Sequence, residues 1–149
     1  VAGEAYASPT REKAAGRADA LEAAGLRPKA RILSMAVAAD DPVLQFTAIL
    51  AATRRALDQA GLDITDIDLV EVNEAFASVV LHWLRETGAD PARTNVHGGA
   101  IALGHPFGMT GARTAGHILL EGRRRGAKWG VVTMCIGGCQ GAAGLIEIF

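Results

Sequence analysis

Cysteine is scarce in this chain: Cys135 and Cys139 are the only two among 149 residues. Neither has a neighbouring His or a second Cys pair, so the spacing of a zinc site is missing and no metal is expected. Charge of one sign is also lacking. Fifteen basic side chains balance sixteen acidic ones to a net charge of -1, which removes the electrostatic reason to expect nucleic acid or an anionic membrane as partner. No apolar run approaches the roughly 20 residues that span a bilayer. The stretch Val1 to Thr10 has neither the basic end nor the apolar core of a secretion signal, so a cytoplasmic place and reduced thiols are expected. A start at Val1 instead of Met fits a fragment, a processed product or a trimmed chain. There is no Walker loop, no dinucleotide fingerprint and no GxSxG elbow, which excludes the commonest nucleotide and hydrolase sites.

What is present is an ordinary globular mixture, half apolar and about a fifth charged, in a length that suits one domain with a real core. Glycine is plentiful, and most of it lies from Gly98 onward, so the last third needs tight turns and close backbone approaches. The pattern predicts a helix over Arg11–Ala24 stopped by Gly25, then a strand over Ala30–Ala38. A break at Asp40–Pro42 precedes a helix over Val43–Ala60, stopped by Gly61. Leu69–Val72 reads as a short strand. Phe76, Val79, Val80, Trp83 and Leu84 repeat at helical spacing up to Gly88. A glycine-rich loop, Asn95–Gly111, leads to Thr110 as N-cap of a helix that ends in Arg123–Arg125. Val131–Cys135 and Leu145–Phe149 read as strands about a tight Gly137–Gly141 loop. Alternation of helices and strands points to an α/β domain with a mostly parallel sheet, while the last two strands are joined too closely for a crossover and should pair antiparallel.

Three polar clusters fall beyond strands or in the glycine loop, where α/β proteins build their sites. Cys135 ends a strand. It reads either as a buried thiol acting as a small hydrophobe or as a reactive thiol beside the open amides of Gly137 and Gly138. His105 sits between Gly104 and Pro106; it is either structural or a proton-transfer group. Asn73 is either a helix cap or an amide that orients a water or a carbonyl oxygen. His97 lies in the glycine loop, where it can line a site. The Arg123–Arg125 run complements the negative end of its helix.

The runs VNEAFA (Val72–Ala77), NVHGGAIALGHPFGMTGAR (Asn95–Arg113) and CIGGCQGAAGLIEIF (Cys135–Phe149), in this order, resemble the C-terminal half of the thiolase family. GLRPKARILSMAVAADDP (Gly25–Pro42) fits as well. The resemblance covers residues 25–149; residues 1–24 match poorly and form a lead-in. It implies a thiolase-like α/β domain, a mixed sheet with helices on both faces. It also implies a ping-pong reaction in which 3-ketoacyl-CoA is cleaved by coenzyme A, or two acyl-CoA molecules condense. On this likeness Cys135 is the acid/base cysteine, and His105 activates the nucleophilic cysteine and donates to the thioester oxygen. Asn73 holds the water that completes that oxyanion hole, and the amide of Gly137 belongs to a second one. Phe76, His97 and Gly138 line the substrate. Coenzyme A and acyl-CoA are substrates, with no permanently bound cofactor. The family's nucleophilic cysteine belongs to the N-terminal half, which this chain lacks. The implied partner is therefore that half or a second chain, in a homo- or hetero-oligomer. Cys139 stands where the family has a third glycine, His97 where it has Asn, and Ile49 and Ala51 where many members have Pro. A rival reading is a non-catalytic thiolase-like module that binds acyl-CoA or mediates dimerisation. A ketoacyl synthase is a weaker rival, because that group uses a second histidine where Cys135 stands.

Overall fold

A computed structural model describes residues 19–149. The helix expected over Arg11–Ala24 falls mostly outside them. Its last turn is helical at 19–23 and is closed by the amides of Gly25 and Leu26, which donate to Glu22 and Leu21 at 2.9 and 2.8 Å. Four strands follow: β1 (Ala30–Ala39), β2 (Leu69–Val72), β3 (Trp129–Cys135) and β4 (Gln140–Ile148). The helices between them are α1 (Ala48–Ala60), α2 (Ala77–Thr87), α3 (Ala100–Leu103) and α4 (Thr110–Arg125).

The strands form one sheet in the order β1-β4-β3-β2. Only β2 and β3 run parallel; β4 is antiparallel to both β3 and β1. The sheet is therefore mixed, and the mostly parallel sheet expected from alternation alone is corrected. The reason is β4, which returns through the hairpin after Cys135 and inserts between β3 and β1, making antiparallel pairs on both sides.

Side chains alternate across the pleat and give each face its own cover. Val70, Val131 and Leu145 pack with Leu57 of α1 and with Val80 and Trp83 of α2. On the opposite face Leu69, Ile146 and Ile148 pack with Ile118 of α4. Small residues hold α1 close to the sheet. Ala52 and Ala56 of α1 lie against Ala36, Ala38 and Ala143. A Cβ built on Gly141 of β4 would come within 2.5 Å of the backbone nitrogen of Ile49, so only glycine lets the start of α1 approach the strand so closely.

Three local readings change. Val43–Thr47 is a turn, with Gln45 and Phe46 at φ 48° and 59°, and α1 begins only at Ala48. Thr110 is the first residue of α4 and Met109 occupies the cap. β4 starts at Gln140, five residues before the strand expected from its apolar end.

Candidate functional site

The site forms at the carboxyl ends of the two parallel strands. Asn73 follows β2, and its backbone amide still donates to the Thr133 carbonyl at 2.9 Å, so the residue is fixed as firmly as a strand residue. Its side chain is buried, and Nδ2 lies 3.4 Å from Nε2 of His105. The same carboxamide lies near enough to the Cys135 thiol, at the end of β3, to favour its ionised form. Three groups distant in sequence therefore meet around one amide. The oxygen of that amide, Oδ1, is buried and has no protein partner, leaving an acceptor available to a ligand or a water.

His105 is held from its other side. Nδ1 lies 2.7 Å from the Thr110 hydroxyl, and that hydroxyl donates to the Pro106 carbonyl at 3.0 Å. A hydroxyl has one proton. With it committed to Pro106, the oxygen accepts from Nδ1–H, which leaves the Nε2 lone pair directed at Asn73. An imidazole fixed in this tautomer presents a base to the site. Phe107 packs edge-on against the ring, with centroids 4.9 Å apart.

Burial pushes the Cys135 thiol up from its ordinary pKa; its own backbone and the Asn73 side chain pull the other way. The thiol therefore keeps its proton near neutral pH. Beside it the chain turns through Gly137 and Gly138, both at positive φ (76° and 57°). A cavity of about 160 Å³ is lined by Cys135, Gly137, Gly138, Cys139, Gln140, Gln45 and Phe46. Phe46 contacts Phe76 edge-on at 5.4 Å, which brings Phe76 to the rim of the same cavity.

Two further residues hold the loop that carries His105. The Asn95 side chain accepts from the Val72 amide at 2.8 Å and donates to the Val72 carbonyl at 2.9 Å, extending β2 sideways like another strand residue. The Glu74 carboxylate accepts from the Ile101 amide at 3.0 Å and so caps α3. Of the residues singled out in the sequence, Asn73, His105, Cys135, Gly137, Gly138 and Phe76 come together. His97 does not: its Nε2 lies 2.9 Å from Glu121, on the α4 side of the sheet. Sequence reasoning missed Thr110 as the partner of His105, Asn95 as a clamp, and Phe46 as a wall. The available signals were the five-residue step from His105 to Thr110 and an Asn directly before the glycine run.

His97 belongs to a second polar cluster. Glu121 is held down to about 2 by hydrogen bonds from Arg125 and His97. Glu71, buried on β2, is pushed up to about 7 by burial, against the pull of Arg113 and His97. His117, 3.8 Å from Glu71, is lowered mainly by burial, with Arg113 and His97 adding to the effect. Among the described residues, no group of three or more His, Cys, Asp or Glu side chains is placed to hold a metal ion. No helix there is long and apolar enough to cross a membrane.

Comparison with known proteins agrees with this architecture. The sequence model of the family described as thiolase, C-terminal domain, matches residues 26–148. The steroid 3-ketoacyl-CoA thiolase FadA6 of Mycobacterium tuberculosis is 54% identical over 123 residues, 83% of this chain and 30% of that protein. A 3-ketoacyl-CoA thiolase of Bacillus subtilis is 48% identical over 132 residues, 89% of this chain and 33% of that protein. The crystal structure of human mitochondrial 3-ketoacyl-CoA thiolase superimposes with a TM-score of 0.85 at 46% identity, covering 88% of this chain and 33% of that one. The same human enzyme has a structure in complex with CoA. The chain thus spans about a third of the length of the relatives it matches.

Proposed function

Because the chain belongs to the thiolase family and matches its C-terminal domain, we propose that it supplies the proton-transfer and oxyanion groups of an acyl-CoA site. An N-terminal thiolase half, in the same polypeptide or in a partner chain, brings the nucleophilic cysteine. The substrates are 3-ketoacyl-CoA and coenzyme A in cleavage, or two acyl-CoA molecules in condensation. No permanently bound cofactor is needed, and the assembly is a homo- or hetero-oligomer. Residues 25–149 form the working domain and 1–24 a lead-in.

The observation that carries this reading is the shared carboxamide: Asn73 Nδ2 lies 3.4 Å from the His105 imidazole, and the same side chain is near enough to the Cys135 thiol to favour its ionised form. Cleavage of a 3-ketoacyl-CoA breaks a carbon–carbon bond and releases a thioester enolate, which is too basic to leave unaided near neutral pH. Fixed donors at its oxygen and an acid at its carbon lower that barrier. The Nε2 lone pair of His105 first takes the proton of the nucleophilic cysteine's thiol, and the imidazolium so formed, together with a water held by Asn73, donates at the enolate oxygen. Cys135 hands its proton to the carbon, and the burial that raises its pKa keeps it loaded for that step. The Gly137 amide donates to a second acyl oxygen. Phe76 and Gly138 act on the substrate side. The cavity of about 160 Å³ beside Cys135 takes only the small acyl end of the substrate, because whole ligands occupy pockets of roughly 300–1,000 Å³.

Cys135→Ala in the complete assembly tests the assignment. Turnover with an acyl-CoA is expected to fall by about 10²–10⁴-fold, the usual yield of a positioned acid/base. Unchanged turnover contradicts the role given to Cys135.

A further inference from the structure

Cys139 has no task in the chemistry above, yet its position is specific. It is the third residue in a row with a left-handed backbone, at φ 59° after Gly137 and Gly138. L-residues with side chains avoid this region, and such outliers gather at functional positions. The turn that holds it is closed on both sides. The Ile136 amide donates to Gln140, the Gln140 amide to Gly137, and the Asp40 amide to the Cys139 carbonyl, each at 3.1 Å. Its Sγ lies 3.8 Å from the Pro42 carbonyl. Cys135 is on the opposite limb of the same hairpin, paired with Gly141. Both thiols are free and half-buried, and both line the same cavity.

We propose that Cys135 and Cys139 form a peroxide-reactive dithiol site, in which the two thiols close to an intrachain disulfide across the mouth of the cavity. The Cys139 thiolate attacks one peroxide oxygen. The O–O bond breaks, hydroxide leaves, and Cys139 becomes a sulfenic acid. Cys135 then gives its proton to that hydroxide, and its sulfur attacks Cys139. The S–O bond breaks and the second oxygen leaves as hydroxide, which takes up the proton that Cys139 shed on ionising and becomes water. Two thiols lose two electrons in total, and one peroxide becomes two waters. Burial keeps Cys135 protonated, so Cys139 is the first to react and Cys135 the one that resolves it. Closure requires this hydrogen-bonded turn to shift, and the two glycines between the cysteines permit the backbone change that disulfide geometry demands. Closure removes the proton that Cys135 donates and fills the acyl end of the cavity. This loss of turnover rests on the function proposed above; the disulfide itself does not.

The test is mass spectrometry on the full reduced chain, whose only cysteines are these two. The chain is treated with hydrogen peroxide, its remaining thiols are alkylated, and it is digested without reductant. The expected product is a Cys135–Cys139 link two hydrogens lighter, formed without dimers and reopened by dithiothreitol. It should appear at least severalfold faster in the folded chain than in concentrated urea. In Cys139→Ser, and in Cys139→Gly where the backbone strain is relieved, Cys135 should instead gain oxygen that dithiothreitol does not remove. Independent oxidation of the two sulfurs, linked dimers, or closure that is as fast in urea would each overturn the proposal. A chain inert toward acyl-CoA leaves this readout unchanged, so failure of the proposed function and failure of the dithiol site are told apart.

Discussion

Glu71 lies within the sheet, 3% exposed, with no lysine or arginine close enough to form an ion pair among the described residues. Burial penalises its charged form and lifts its pKa from 4.5 to about 7. The folded chain therefore holds that proton more tightly than the unfolded chain does. Between pH 4.5 and 7 the unfolded state binds fewer protons, so stability falls as pH rises and then levels off. Glu71→Gln removes the effect. Relative to that variant, the wild type should lose on the order of 3 kcal/mol across this window. Urea denaturation at a series of pH values checks this, and parallel curves for the two proteins would contradict it. Glu121 works with the opposite sign. Its folded pKa of about 2 contributes stability above 4.5 that is lost as pH falls toward 2.

Among the elements, the loop between Asn95 and Gly111 has the most to hold in place, and Asn95 anchors it. Both ends of its carboxamide are used on Val72, next to the residue that carries the site amide. Asn95→Ala leaves the Val72 amide and carbonyl unpaired in a half-buried place. Thermal or urea unfolding should show a loss of about 1–3 kcal/mol, and turnover of the complete assembly should fall with it as β2 and the His105 loop separate. Full stability and activity in this variant would show that the clamp has no role.

The elements were unequally legible in the sequence. The helix of Phe76 to Leu84 and the helix ending at Arg123–Arg125 follow the 3.6-residue period, and both stop at the expected glycines, Gly88 and Gly126. Strand direction is not written in periodicity, so the antiparallel place of β4 was hidden. Its first half, Gln140–Gly144, is glycine and alanine and carries little strand signal. Val43, Leu44 and Phe46 suit a helix by composition, but the left-handed Gln45 and Phe46 make a turn instead. At the site, Asn73, His105 and Cys135 were visible as residue types beyond strands or among glycines. The partners that orient them were not. Thr110 looked like a cap, and the 2.9 Å pair between His97 and Glu121 joins residues two dozen positions apart.

In the molecule as a whole, one sheet face is only half covered. α4 packs against β2 and β3 with Ile118, but the β1 side of that face shows Ile32, Met35 and Val37, each more than half exposed. They stand opposite Ile146, Gly144 and Ala142 of β4, and together they make a continuous apolar strip. Strips of this kind mark interaction surfaces. On the proposed function, the strip receives the rest of the thiolase. Val37→Glu should weaken association with a separately produced N-terminal half by roughly tenfold or more, because the carboxylate would be buried without a partner. Calorimetric titration measures this, and an unchanged Kd would remove the strip from the interface.

The most direct measurement is a double-mutant cycle on the exchange of acetyl-CoA α-hydrogens with deuterated water, run in the complete assembly with Asn73→Ala, Cys135→Ala and the pair. If the carboxamide and the thiol act as one unit on the carbon next to the thioester, each single variant slows exchange strongly and the double variant is little slower than either. Losses that simply multiply, or exchange as fast as in the wild type, would show that the two groups do not share the reaction.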